Sequence, residues 1–344
     1  MILSEKLARI QLTIVNNISP LKFLKILEHY GSASAYLKNQ STAKFKFFSD
    51  GEQLHKDAGY EIDINKTVVY GEETYPELLS QIADPPIAIK FAGDLSLLNS
   101  AKIVSMVGTR KNSEYGRNCA VKFAGELALE GFTVVSGMAI GIDTIVHNAV
   151  LAAGGRTIAV LPGDIDNPYP KSNLGLFREI SKRGLVISEV CRDTDLQKYV
   201  FVKRNRIIAG LAKACVVVEA PLKSGGLITT ELALNYNREV YAVPSPVFSE
   251  SGAGCNKLIT EGKAKLLNNS AELLEDLRIE KSTRRTGLPE AEQMVINCLQ
   301  SGEGSFDSVS KSAKIASPEL CRLLLEMEFK RLIAKSLNGN YTLL

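Results

Sequence analysis

VSMVGTRKNSEYGRNCAVKFAGELALEGFTVVSGMAIGIDTIVH, residues 104–147, decides how this chain folds. An apolar strand ends in Gly108-Thr109-Arg110. A helix follows, with apolar residues at Ala120, Phe123, Ala124, Leu127 and Ala128 recurring at helical spacing. A second strand, Phe132 to Val135, then ends in Ser136-Gly137. Two strand ends thus carry small residues, and one of them carries an arginine as well. In an open α/β sheet, ligands sit outside the carboxyl ends of the strands. Bare amides and a cation at that place suit a phosphate.

Outward from this stretch, apolar runs recur at 103–107, 132–135, 157–161, 185–187, 215–219 and 239–243. Helical patterns fill most of the gaps. The alternation predicts an α/β domain over residues 66–275, a mainly parallel sheet with helices on both faces. Runs as apolar as Cys215 to Val218 belong to strands buried on both sides. Residues 1–65 read as a small helical domain. Leu7, Ile10 and Ile14 form one apolar face, Leu21, Phe23, Leu24 and Leu27 another, and Ser19-Pro20 marks a helix start. Residues 276–287 are charged and polar without an apolar period, as in a linker. Residues 288–344 predict helices near 290–300 and 305–313, and a third opened by Ser317-Pro318-Glu319. That third helix runs through Leu320, Leu323, Leu324 and Met327, and a hairpin turning at Asn338-Gly339 follows. Three helices and a hairpin make a winged-helix pattern, although Arg322 is the one basic residue on the third helix's early turns.

The chain has 344 residues, 45% of them hydrophobic, and a formal charge of +3. So small a charge does not argue for nucleic acid, and the position of basic clusters matters more than their total. The N-terminus lacks the regions of a signal peptide. No run of 18 apolar residues offers a membrane span. Six cysteines, at 119, 191, 215, 255, 298 and 321, lack paired metal-ligand spacing and read as free thiols of a cytoplasmic protein. No metal site is expected.

Several groups carry potential chemistry. Arg110, with Arg117 in the following helix, offers guanidinium forks that fit phosphate oxygens. Ser136-Gly137 precedes Gly141-Ile142-Asp143, a helix start that serves equally as a cap or an anion site. Gly163 follows another strand, with Tyr169, Lys171 and Asn173 in the loop beyond. Lys198, Lys203, Arg204 and Arg206 place four cations within nine residues, interleaved with Tyr199 and Phe201 and accompanied by Asn205. Cations among aromatics suit a single strand, whose phosphates meet the charges while its bases stack. Ser224-Gly225-Gly226 is a further, weaker anion cradle. Catalytic constellations are thin. His147 lies four residues after Asp143, a spacing read as a structural contact. Neither a P-loop nor a GxGxxG follows a strand, so no cofactor is expected.

Taken together, these motifs resemble the DprA/Smf family of bacterial DNA-processing proteins. The resemblance runs through Tyr75 to Leu79, Val107 to Arg110, Ser113 to Gly116, Ser136 to Asp143 with His147, and Gly154 to Leu161. It continues through Tyr169 to Asn173, Ser188-Glu189, Arg204 to Leu211, Val217 to Glu219, Ser224 to Thr229, Arg238 to Pro244 and Asn256 to Ile259. It implies an extended Rossmann domain flanked by a sterile-alpha-motif-like helical domain and a winged helix. It also implies single-stranded DNA binding, homodimerisation and loading of the RecA recombinase, with no catalytic activity. The phosphate pocket would use Arg110 with the backbone of Gly108 and Thr109. Ser136, Gly137, Gly163 and the Tyr169–Asn173 loop would border it. Lys198 to Arg206 would line the strand's path, with Phe201 stacking. Departures from the usual pattern are Ile140, Val146, Pro162, Asp164, Val202, Ser245, the Gly262–Lys265 turn and Arg331. Two rivals stand beside this reading. One is an enzyme acting on a nucleotide or sugar phosphate, because Gly225-Gly226 to Glu231 resembles a degraded motif of lysine-decarboxylase-like phosphoribohydrolases. The other is a structural hub whose flanking modules dock proteins.

Overall fold

Three helices come first, α1 (Leu3–Ile14), α2 (Pro20–Tyr30) and α3 (Ala33–Gln40). The computed structural model describes residues 3–14, 17–40, 63–190, 197–277, 290–302, 304–329, 332–336 and 339–343. Cys191, Arg331, Asn338 and nearly all of the expected linker lie outside them. The chain divides into two compact units, 1–281 and 282–344.

In the first unit the helices lead into β1 (Thr67–Val69), α4 (Glu77–Ser80), β2 (Ala88–Gly93) and β3 (Ile103–Gly108). There follow α5 (Glu114–Leu129), β4 (Thr133–Ser136), α6 (Ile142–Ala152), β5 (Arg156–Leu161), α7 (Leu174–Arg183) and β6 (Leu185–Glu189). The unit closes with α8 (Lys198–Leu211), β7 (Ala214–Glu219), α9 (Gly225–Asn235), β8 (Glu239–Ala242), α10 (Ala253–Thr260), β9 (Lys265–Leu266) and α11 (Ser270–Asp276). The nine strands form one sheet in the order β1-β2-β6-β5-β4-β3-β7-β8-β9. Pairing is parallel from β6 to β9 and antiparallel at β1/β2 and β2/β6. From β3 the chain winds outward to β6, then crosses back to lay β7 on the other side of β3.

Alternation along β3 shows why the sheet is covered twice. Ile103 and Val107 join one apolar cluster with Ile207, Ile208 and Leu211 of α8. Val104 and Met106 join another with Phe123 and Leu127 of α5 and Val146 and Val150 of α6. Successive side chains point to opposite faces, so a strand apolar at every position is buried on both.

The expected boundary at residue 65 runs through a shared core. Leu7, Ile10 and Ile14 of α1 pack with Val69 of β1, Ala88 of β2 and Val190. Phe23 and Ile26 of α2 close on Leu12 and Ile87. Leu21, expected on the inner face, is exposed. It stands two positions from buried Phe23, about 200° round the helix. Ser19 caps α2 as expected, accepting from the Lys22 amide at 3.4 Å.

The second unit holds α12 (Glu290–Gln300), α13 (Phe306–Ala313), α14 (Ser317–Phe329) and an antiparallel pair, β10 (Ile333–Lys335) with β11 (Tyr341–Leu343). Val295, Ile296, Val309, Leu320, Leu324, Met327 and Ile333 form its core. Gly339 takes the left-handed conformation, φ 83°, that its place in the turn requires.

Candidate nucleic-acid interface

Strands β3 and β7 end side by side, but the segments that follow them part, because one leads to β4 and the other to β8. Such a switch point opens a crevice at the strands' carboxyl ends. Here it is a cleft of about 660 Å³. One wall is Gly108 to Lys111 after β3, and another is Phe201, Arg204, Asn205 and Ile208 of α8. The third comprises Lys223 to Gly226, where α9 begins, with Glu250 and Ser251 at the rim. A smaller hollow adjoins it, lined by Arg110, Gly137, Ala139, Ile140, Pro162, Tyr169, Pro170, Phe201 and Arg204.

Arg110 stands where the two meet. Its guanidinium carbon lies 5.1 Å from the centre of the Phe201 ring, in cation–π range. Tyr169 meets the same ring edge-on, with centroids 5.7 Å apart. Three residues distant in sequence thus form one cationic, aromatic surface. The loop beneath is tightly built. Gly141, at φ 92°, lies so close that a Cβ there would be 2.5 Å from the Thr109 carbonyl. The Thr109 N–H donates to the Glu219 carbonyl at 2.8 Å, and the Thr109 carbonyl accepts from Ile142 at 3.1 Å. The Thr109 amide expected to face an anion is therefore engaged within the fold.

Arg204 forms the floor. It is buried, and its guanidinium donates to the carbonyls of Gly137, at 2.6 Å, and Val160, and to Asn205 Oδ1 at 3.1 Å. Gly137 is required for this approach, since a Cβ there would lie 2.5 Å from Arg204 Nη1. Burial lowers the Arg204 pKa to about 10, against the opposing charge of Asp143, so the group stays cationic near neutrality. Burial likewise raises the pKa of the Asp143 carboxyl, opposed by Arg204 and by the Ala139 amide, which donates to it at 3.4 Å. The expected Asp143–His147 contact is replaced by separate partnerships. His147 Nδ1 lies 2.7 Å from Thr157 Oγ1, whose one proton goes to the Val134 carbonyl at 2.7 Å. The imidazole is therefore the donor at Nδ1. Burial, then the charge of Arg204, lower its pKa to about 3 and keep it neutral.

Glu219, at the end of β7, is another buried carboxylate, and it is fully engaged. It accepts from the Ser113 amide at 2.8 Å and from the hydroxyls of Ser113 and Ser251 at 2.6 Å each. It thereby ties the start of α5 to the cleft's rim. A Cβ on Gly116 would come within 2.1 Å of its Oε2.

The structure brings Gly108, Thr109, Arg110, Gly137, Tyr169, Phe201, Arg204 and Asn205 to the cleft and its hollow. Others of the expected set lie elsewhere. Ser136 is buried, its hydroxyl given to the Met106 carbonyl at 2.7 Å. The buried Asn173 amide is spent on the Met138 carbonyl and Thr144, both at 2.9 Å. Arg206 is buried against Glu189, at 2.6 Å, and Asp84, at 3.4 Å, and Lys203 pairs with the same Glu189 at 3.4 Å. Lys171 donates to Asn167. Lys198 lines a neighbouring hollow with Leu222, Lys223 and Glu231, and Gly163 borders none of the three. Glu231, the acid of the phosphoribohydrolase-like motif, thus lines that hollow and not the main cleft. The charge that the departure Asp164 adds is met by Lys90, at 3.3 Å, which also binds Asp166. Sequence reasoning overlooked Lys111, Lys223, Glu250 and Ser251. Lys111 directly follows Arg110 and Lys223 precedes the Ser224-Gly225-Gly226 cradle, whereas nothing local marks Ser251.

Residues 66–278 match the family described as DNA recombination-mediator protein A. The chain belongs to that family. Its relatives in the DprA/Smf group include the DNA processing protein DprA of Bacillus subtilis (strain 168), 38% identical over 211 residues, which cover 61% of this chain and 71% of that protein. DprA of Streptococcus pneumoniae (strain ATCC BAA-255 / R6) is 41% identical over 203 residues, covering 59% and 71%. Protein Smf of Escherichia coli (strain K12) is 38% identical over 207 residues, covering 60% and 55%. Among solved structures, S. pneumoniae DprA superposes with a TM-score of 0.65 at 32% identity, covering 80% of this chain and 98% of that one. DNA processing protein A of Helicobacter pylori, whose structure addresses a single-stranded DNA binding mode, gives 0.56 at 29%, covering 62% and 96%. The shared architecture is the large, mostly parallel sheet with its helices. No described helix is long and apolar enough to cross a membrane.

Proposed function

We propose that the cleft between β3 and β7 holds an unpaired DNA strand. In this reading the chain is a cytoplasmic, non-enzymatic DNA-processing protein that acts as a homodimer and loads RecA recombinase. The observation that carries it is the joint surface of Arg110, Phe201 and Tyr169 over a buried Arg204. A guanidinium meets phosphate while ring faces accept bases of any identity. The cleft residues support it, with four cations, Arg110, Lys111, Arg204 and Lys223, against the two carboxylates of Asp143 and Glu250. The H. pylori relative, described by its single-stranded DNA binding mode, supports it further. The RecA role is supported by membership of a recombination-mediator family, and the second unit would be the winged helix.

Titration with a poly-dT oligomer across salt concentrations tests the reading. Binding should fall steeply with salt. Arg110→Ala should weaken it on every sequence and reduce the salt slope by about 0.7, the value of one phosphate contact on a single strand. An Arg110→Ala protein with the parent's affinity and slope refutes the assignment. Release of free base from nucleoside monophosphates would favour the enzyme instead.

A further inference from the structure

The loop after β8 holds two apolar side chains in solvent. Val247 is 86% exposed and Phe248 100%. This is a braced loop. The Tyr115 hydroxyl donates to the Pro244 carbonyl at 2.8 Å. Ser245 exchanges two hydrogen bonds with the Asn256 amide, both 2.9 Å, and the Ser249 amide closes a turn onto the Pro246 carbonyl at 2.9 Å. On the far side Ser251 is bound to Glu219. Anchors on both sides keep the tip from folding back onto the protein, so the exposure is built in.

We propose that Phe248 is a second stacking platform, on which a base of the bound strand rests as the strand leaves the cleft. This rests on the function proposed above. Phe248 is two residues from Glu250, a rim residue of the cleft, hence within about 7 Å of it along the chain. Arg110, Lys111 and Lys223 line the same cleft as Glu250, so a strand they hold would share that rim. The size of the patch argues for a base and against a protein. The tip itself, one phenylalanine and one valine, presents on the order of 300 Å², short of the roughly 800 Å² per partner of a stable protein interface. A single ring is what one base covers.

The chain contains no tryptophan, so Phe248→Trp places a unique reporter at the tip. Its emission should be quenched by poly-dT over the same concentrations at which filter binding registers the complex. Phe248→Ala should weaken binding about tenfold, as for loss of one base–aromatic stack, with the salt slope unchanged. The exposed site leaves folding intact, which circular dichroism verifies. Unquenched emission in a saturated complex, or an Phe248→Ala protein with the parent's affinity, overturns the inference while leaving the cleft assignment standing. A change in sedimentation without a change in affinity would give the tip to a second copy of the chain and equally overturn it. If the parent itself does not bind poly-dT, the proposed function fails and the inference falls with it.

Discussion

Replacing Arg204 with methionine keeps most of the side chain's length and removes its charge and donors. The structure states what is left behind. The carbonyls of Gly137 and Val160 lose their donor, and Asp143 loses the cation that opposes its burial. Each unpartnered buried carbonyl costs about 1–3 kcal/mol, and the loss of the Arg204 charge further disfavours the buried Asp143 carboxylate. Because Asp143 can take up a proton, the two carbonyls dominate and the expected total is about 2–6 kcal/mol. The pH dependence follows. The folded-state pKa of Asp143 already lies above its ordinary 3.8, and losing Arg204 raises it further. A raised folded pKa contributes stability below 3.8 that is lost as pH rises through the folded value. The variant's deficit should therefore shrink in acid and grow toward neutrality. Adding Asp143→Asn, which stays neutral, should recover part of the loss. Urea unfolding of the full chain, followed through the transition of the 1–281 unit, measures each quantity. A deficit below about 1 kcal/mol, typical of a surface change, or one independent of pH, would refute a buried brace at this position.

His147 predicts the opposite dependence. Its folded pKa, lowered to about 3 from 6.5, means that the unfolded chain binds the extra proton between those values. Stability should drop by about 1.4 kcal/mol for each unit the pH falls within that window, and the drop should vanish in His147→Leu; thermal melts of both proteins at two pH values decide it. In α5, Gly125→Ala meets nothing within 4 Å and should stabilise by up to about 1 kcal/mol through helix propensity. Gly116→Ala in the same helix strikes Glu219 and should destabilise by about 1–3 kcal/mol; equal effects of the two in denaturant melts would remove Glu219 from its role as a tie.

The six strands from β3 to β8 were legible because their signal is local. An apolar run such as Cys215 to Val218 forms a two-sided buried strand wherever it is placed, and the structure bounds it at Ala214–Glu219. Strand β2 was missed because Lys90 interrupts its apolar run, and only Asp164 and Asp166, over 70 residues on, make that lysine tolerable. Leu21 was misplaced because an apolar residue in the first turn of α2 reads the same whether it faces inward or out.

What local chemistry determined was the alternating architecture, the helix caps and the residue types that a phosphate-binding strand end needs. Tertiary structure decided which of those residues are available. Arg110, Tyr169 and Phe201 converge only because the chain crosses back over β3. Ser136, Asn173 and Arg206 look ligand-ready in sequence, but they are buried and held by carbonyls and carboxylates of the fold, and Arg204 lines the cleft only as a floor already bonded to two carbonyls. A buried polar group must find a partner, and whether that partner is the protein or its ligand depends on packing between segments far apart in the chain.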